Sequence, residues 1–328
     1  MSAAPRTEPR TLAPPERRTA WVTGVERLGA YALITALDPE GPADPRPGQF
    51  YMLAAAERWG GGADERPYLP RAFSHARARG GKLSFLLEAI GPGTERLAEL
   101  REGEGLHLVG PLGVGWRPPE HGTRPLLVGG GIGAAPLLCL EDELREAVGR
   151  LRDDAPFEAV GRLSDDVPFE AVGRPSDDVP FEAADPLGVD APLADPAAVQ
   201  PTVLLGFRSA AHAEAASLFA GEVVLATDDG SAGRAGLVTD LLREELGRDA
   251  SVTVFACGPP AMLEAVRALC AERGVPAQLA LEAGMACGYG ACFGCVVPTK
   301  AGYVRVCVDG PVLDADALES AMFPGAGH

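Results

Sequence analysis

Short runs of alternating apolar and polar residues fill the chain from Thr19 to about Pro118. Segments 19–26 (TAWVTGVE), 30–37 (AYALITAL), 49–55 (QFYMLAA), 71–76 (RAFSHA), 82–88 (KLSFLLE) and 105–109 (GLHLV) read as strands, with Gly/Pro clusters between them. Only 94–100 in this stretch has a helical pattern. Six short strands with such punctuation predict a small β-barrel. At Arg124 the pattern changes. Segment 125–147 (PLLVGGGIGAAPLLCLEDELREA) reads as a buried strand, a glycine turn and a helix. Strands at 202–208, 222–227, 251–258 and 276–282 then alternate with helices at 212–219, 236–246 and 260–274. That alternation predicts a parallel sheet covered on both faces.

Two stretches stand outside this rhythm. Residues 1–18 hold four Pro and four Arg and no apolar run long enough for a signal peptide, and are expected to form a disordered arm. Segments 153–162, 165–174 and 177–186 repeat DD-[AV]-PFEA with a period of 12. They offer a core about one Phe and one Val each and carry much of the chain's acidity. Their reading is a solvated, disordered insertion at 150–200, with a partner-binding tail as the alternative. The expected domains are 1–18 (arm), 19–118 (barrel), 119–282 (α/β, with the insertion) and 283–328 (cysteine segment).

Charge and composition narrow the function classes. The net charge of −17 argues against nucleic acid, which needs clustered Lys and Arg. No apolar run approaches a membrane span, so a cytoplasmic protein is expected. Of seven Cys, four crowd into 287–307, which reads as a metal site before a disulfide framework.

Those four, Cys287, Cys292, Cys295 and Cys307, are spaced C-x4-C-x2-C-x11-C. A 2Fe–2S cluster needs four thiolates converging on two irons, and C-x4-C-x2-C with a distant fourth Cys is a plant-type spacing for it. Gly288, Gly290 and Gly294 suit a tight loop whose amides approach the sulfurs. Cys307, in the alternating segment YVRVCV, is expected on a strand that delivers the fourth ligand. A zinc site is the competing reading, but zinc ribbons favour two C-x2-C knuckles and only Cys292/Cys295 form one. Cys139 and Cys270 fall on apolar helix faces and are expected in the core.

Two weaker signals concern nucleotides. Arg71 and Ser74 at the start of a barrel strand, with Gly93 and Thr94 opening the short helix, offer a cation, a hydroxyl and backbone amides to a flavin dinucleotide. A surface arginine and a plain helix cap are the alternatives. The turn 128–136 (VGGGIGAAP) loosely matches a dinucleotide glycine motif, placing Gly129, Gly130, Gly131 and Gly133 at a pyrophosphate; the alternative is a packing turn. Cys257, Gly258 and Pro259 close another strand, where ligands sit in such sheets. Arg208, after the second strand of the sheet, is a candidate partner for a 2′-phosphate or a surface charge.

In order, RAFS (71–74), GPGT (91–94), GPLG (110–113), VGGGIGAAP, ACGPPAML (256–263) and MACGYGACFGC (285–295) resemble the ferredoxin–NADP reductase superfamily. The cysteine loop narrows the resemblance to the electron-transfer subunits of class 1B dihydroorotate dehydrogenases, over about 19–148 and 201–315. Gly284, where that family often has Arg, the insertion and the arm are departures. The resemblance implies a ferredoxin-reductase-like fold: an FAD-binding β-barrel, an α/β domain binding NAD(H) and a C-terminal 2Fe–2S loop. It places FAD on Arg71, Ala72, Phe73, Ser74, Leu86, Leu87, Glu88, Gly93 and Thr94. It implies no catalytic acid or base in this chain, and a partner subunit carrying FMN that oxidises dihydroorotate to orotate, in a heterotetramer of two of each. A flavin between the two fits the chemistry, since nicotinamide exchanges hydride and a cluster exchanges single electrons. A reductase subunit for another partner (a ferredoxin–NADP transhydrogenase or sulfide dehydrogenase) and a zinc-bearing scaffold are the rivals.

Overall fold

The computed structural model describes residues 16–42, 45–60, 68–153, 200–323 and 325, with the side chains of 148–153 excepted. Most of the expected arm, and the acidic repeats apart from their first residue, lie outside the described residues.

The first half is an antiparallel sheet of seven strands: β1 (Arg18–Leu28), β2 (Tyr31–Leu37), β3 (Phe50–Ala55), β4 (Arg71–Ser74), β5 (Arg77–Arg79), β6 (Lys82–Glu88) and β7 (Gly105–Leu112), in the order β4-β3-β7-β1-β2-β6-β5. The six expected strands are present. The seventh, β5, is three residues long, too short to show a period. Val22, Ile34, Tyr51, Leu53, Phe85, Leu87 and Leu106 fill the inside, and α1 (Pro92–Ala98) adds Leu97 to the same core. Alternation along β6 divides its side chains between two environments: Phe85 and Leu87 are fully buried in that core, whereas Leu86 and Glu88 face the other way, into a cavity.

The second half is a sheet ordered β11-β10-β9-β8-β12-β13-β16. Its strands are β8 (Arg124–Gly130), β9 (Thr202–Phe207), β10 (Val223–Thr227), β11 (Arg234–Ala235), β12 (Val252–Cys257), β13 (Ala277–Ala280) and β16 (Val312–Asp314). All neighbours are parallel except β13–β16, which is antiparallel. The helices are α2 (Ala135–Asp153), α3 (Ala210–Ala213), α4 (Val238–Arg248) and α5 (Pro260–Arg273). Where one helix was expected at 212–219, the four-residue α3 runs into a 3-10 turn at Glu214–Leu218. Chain order runs from β8 leftward to β11 and from β12 rightward, so the direction reverses between β8 and β12. Their carboxyl ends form the crevice where open α/β sheets bind ligands.

The cysteine segment is woven into this sheet. After the hairpin β14 (Val296–Thr299) and β15 (Gly302–Arg305) comes one helical turn, α6 (Val306–Asp309), and then edge strand β16. Cys307 therefore sits in a helical turn, not on the expected strand. The alternating pattern ends at Arg305, whose amide donates to Asp309 Oδ2 (2.9 Å), and the chain coils there. Among the described residues no helix is long and apolar enough to cross a membrane.

His75, just after β4, is fully buried. Its Nδ1 donates to the Gln49 carbonyl (3.2 Å), and burial lowers its pKa from 6.5 to about 4. The fold thus favours the neutral ring. This stabilisation is complete above pH 6.5 and is lost as pH falls toward 4, at a cost of about 2–3 kcal/mol. Urea unfolding at about pH 7 and about pH 4.5 should show His75→Phe losing less stability on acidification than the parent, by about that amount.

Candidate functional site

A cavity of about 500 Å³ opens between the two halves, a size suited to a cofactor. The barrel contributes Phe50, Arg71, Ala72, Phe73, Ser74, Leu86 and Glu88, and the 90–94 turn contributes Gly93 and Thr94. The α/β half contributes Ile132, Ala135, Pro136 and Cys257, and residues 280–285 close the far wall. At its mouth the Arg71 guanidinium lies against Gly93, where an added Cβ would stand 2.7 Å from Arg71 Nε. The same guanidinium sits 6.0 Å from the Trp59 ring centroid and donates to the Leu69 carbonyl. Arg71 is thus held by a ring, a carbonyl and a glycine, with its positive charge at the opening. Thr94 Oγ1 accepts from the amides of Ile90 (3.0 Å) and Gly91 (3.1 Å), which shapes the turn beside it.

Glu88 ties this cavity to the second half of the molecule. Arg208 Nη2 donates to both of its carboxylate oxygens (2.8 and 2.9 Å), and His212 Nε2 lies 3.4 Å from Oε1. Arg208, in the sequence a candidate for a 2′-phosphate or a surface charge, is paired here with Glu88 across the interface.

The crevice between β8 and β12 explains its glycines largely by packing. A Cβ on Gly129 would meet Leu205 at 2.6 Å, one on Gly130 the Met262 sulfur at 2.5 Å, and one on Gly133 the Cys257 carbonyl at 2.3 Å. Only Gly131, at φ +56°, has open space around it, with the Tyr31 hydroxyl as nearest neighbour at 3.7 Å. Packing therefore requires Gly129, Gly130 and Gly133 of this turn and leaves Gly131 open. Cys257 reaches the cavity floor, and burial pushes its thiol pKa up, so it is neutral there. Glu282, which belongs to no sequence motif, lines the same floor and bears electrostatically on Cys257. Burial raises its carboxyl pKa too. Leu87 is not part of the cavity: the β6 pleat turns it into the barrel core, so only its neighbours present side chains.

From Glu282 the far wall runs through Gly284 and Met285 into the cysteine loop. The loop is seated on the barrel. Gly288, at φ +80°, packs so closely that a Cβ would stand 2.4 Å from Met52 Cγ. Its four thiols interact in two pairs, Cys287 with Cys292 and Cys295 with Cys307, and Cys287 also acts on Cys307. The Cys295 thiol is brought down to about 6 by the Cys307 side chain and amide. Burial alone would raise Cys287, but the amides of Cys292, Tyr289 and Ala291 bring it to about 7. Cys307 is pushed up by its pairing with Cys295 and by burial. Further amides reach sulfur from Gly294 to Cys292 (3.4 Å) and from Cys307 to Cys295 (3.4 Å). Among the described residues no three His, Cys, Asp or Glu close on one point as ligands of a single metal ion. Four cysteine thiols with backbone amides directed at sulfur, in the C-x4-C-x2-C spacing, suit a 2Fe–2S cluster better than the paired knuckles of a zinc ribbon.

Residues 282–319 match the family model for the iron–sulfur cluster binding domain of dihydroorotate dehydrogenase B. The dihydroorotate dehydrogenase B (NAD(+)) electron transfer subunit of Caldanaerobacter subterraneus subsp. tengcongensis is 31% identical over 278 residues, 84% of this chain and 87% of its own. The subunit of the same description from Geobacillus thermodenitrificans is 33% identical over 276 residues, 82% and 85% of the two chains.

The chain belongs to the dihydroorotate dehydrogenase B electron transfer subunits.

Solved structures agree on the fold of this family member. One, described under flavin-based electron bifurcation by the NADH-dependent reduced ferredoxin–NADP oxidoreductase, aligns with a TM-score of 0.65 at 21% identity, covering 92% of this chain and 90% of its own. The ferredoxin reductase of carbazole 1,9a-dioxygenase aligns at 0.54 and 20% identity, covering 79% and 66%. The electron transfer subunit is therefore ferredoxin-reductase-like: a barrel, a parallel α/β sheet and a C-terminal iron–sulfur segment. What sequence alone did not locate is the far wall at 280–285. Of its residues only Met285 belongs to a motif, and all of them line one cavity with Arg71 and Ser74 only through the fold.

Proposed function

We propose that this chain binds FAD in the interdomain cavity, a 2Fe–2S cluster on Cys287, Cys292, Cys295 and Cys307, and NAD(H) at the β8–β12 crevice, to carry electrons between NAD⁺ and the FMN of a dihydroorotate-oxidising partner. FAD, the cluster and NAD are the cofactors of this oxidoreductase subunit, and its family name points to a catalytic dihydroorotate dehydrogenase partner. The partner's FMN, a heterotetramer of two of each and a cytoplasmic setting are the finer parts of the proposal.

One observation carries the reading. The wall of the cavity and the cysteine loop are one continuous segment, 282–295, so the site for the flavin and the site for the cluster share a boundary. When bound, the flavin exchanges hydride with nicotinamide and single electrons with the cluster. The chain's own residues do the rest. Arg71 and the 93–94 amides offer positive potential for a pyrophosphate. Phe50, Leu86 and Ile132 present apolar walls, and Cys257 gives the floor a neutral thiol. The loop amides offer hydrogen bonds to thiolate sulfur.

The test is reconstitution with a dihydroorotate dehydrogenase catalytic subunit encoded in the same genome. Dihydroorotate-dependent reduction of NAD⁺ by the pair, and by neither chain alone, is expected. A pair that reduces NAD⁺ no faster than the catalytic subunit alone would overturn the proposal.

A further inference from the structure

The loop from 285 to 299 contains no charged residue, and between Glu282 and Phe323 the chain has two cations, Lys300 and Arg305. Arg305 ends β15, two residues before Cys307, and is half-buried. Its Nη1 donates to the Gly290 carbonyl (3.1 Å), midway between Cys287 and Cys292. Its guanidinium carbon lies 5.3 Å from the centroid of Phe293, the residue between Cys292 and Cys295. Phe293 is otherwise exposed and adopts φ +59°, a conformation that costs a bulky side chain energy and persists only when its surroundings hold it.

The grip on Gly290 has a stereochemical consequence. In a trans peptide the C=O and N–H point in opposite directions. A guanidinium holding the Gly290 oxygen therefore turns the Ala291 N–H the other way, and that amide is one of those acting on the Cys287 sulfur. Cation–π contact and hydrogen bond together fix both halves of the loop against the strand that leads to the fourth cysteine.

We propose that Arg305 is a positioning residue for the iron–sulfur cluster: it fixes the loop that presents Cys287, Cys292 and Cys295, and supplies a positive charge beside a centre that becomes more negative on reduction. The proposal rests on the four cysteines holding a 2Fe–2S cluster. A cluster on four thiolates is anionic and gains one further negative charge with each electron, so a fixed cation favours the reduced form and raises the potential.

Three full-length proteins, the parent, Arg305→Gln and Arg305→Lys, are reconstituted anaerobically and compared by EPR-monitored redox titration and by the rate of iron loss to a chelator. Arg305→Gln is expected to titrate at a more negative potential and to lose iron roughly five- to thirty-fold faster, the factor that one or two kcal/mol of lost holding energy gives. Arg305→Lys is expected to keep a potential near the parent's, because the charge remains, yet to lose iron faster, because the planar fork is gone. An Arg305→Gln cluster with the parent's potential and release rate would overturn the proposal. If Arg305→Gln takes up no cluster, Arg305→Lys decides: release at the parent's rate overturns the positioning role, and faster release at an unchanged potential supports it. A parent chain that assembles no cluster overturns instead the reading of the cysteines.

Discussion

Cys292→Ser is expected to cost the cluster and, with it, partner-linked electron transfer, which should fall to below about a hundredth of the parent value. Changing a mere supporting residue around a metal already costs about 10–100-fold, and here a ligand itself is lost. The effect should be selective. Cys292 is exposed, so its replacement leaves no hole in a core. The flavin cavity is built from other residues, so NADH-driven reduction of an artificial dye through FAD should persist. Parallel assays of dye reduction and dihydroorotate-dependent NAD⁺ reduction, with iron content measured on the same sample, separate the two. Loss of both activities with intact flavin content, or retention of partner-linked turnover without iron, would contradict the proposed electron path.

The second large effect is expected at Arg71. Its guanidinium stands at the cavity mouth against Gly93 and beside Trp59, where a dinucleotide pyrophosphate would meet it. Removing a charged hydrogen-bonding partner costs about 1.5–3 kcal/mol, so Arg71→Ala should weaken FAD binding roughly 10- to 150-fold, read as flavin lost on gel filtration and as the Kd from flavin fluorescence quenching. Arg71→Lys should recover part of the loss, since it keeps the charge without the planar fork. Iron content should stay at the parent level in both variants. An Arg71→Ala protein that keeps its flavin as the parent does would remove Arg71 from the binding site.

How much of this was legible in the chain depends on whether the signal is local. The longer strands of both sheets are legible because each has one buried face, or two, bounded by turn residues, whereas β5, β11 and β16, two or three residues long, show no period. The four cysteines were readable because their ligand chemistry lies within 21 residues. Arg71 and Gly93 were readable only as separate weak signals; their contact is made by the fold. The glycines of 129–133 show the opposite case. A local motif suggests a ligand, and Leu205, Met262 and the Cys257 carbonyl, all distant in sequence, give three of the glycines a packing role that the motif does not show. Leu87 and Glu88 differ by one residue and face opposite sides of β6, a distinction set by register. Cys307 was misplaced on a strand because a period of two continues through YVRVCV, while the hydrogen bond from the Arg305 amide to Asp309 closes a turn there. Glu282 and Arg305 belong to no motif and gain meaning only from what they touch.

The central claim is that paired thiolates near the C-terminus hold two irons beside a flavin. The most direct measurement is EPR of the full-length chain, reconstituted anaerobically with iron, sulfide and FAD, before and after dithionite. The account predicts a silent oxidised sample and, on reduction, a rhombic S = 1/2 signal with two irons and two sulfides per chain. A reduced sample that remains silent, or iron bound at one per chain without sulfide, would contradict it.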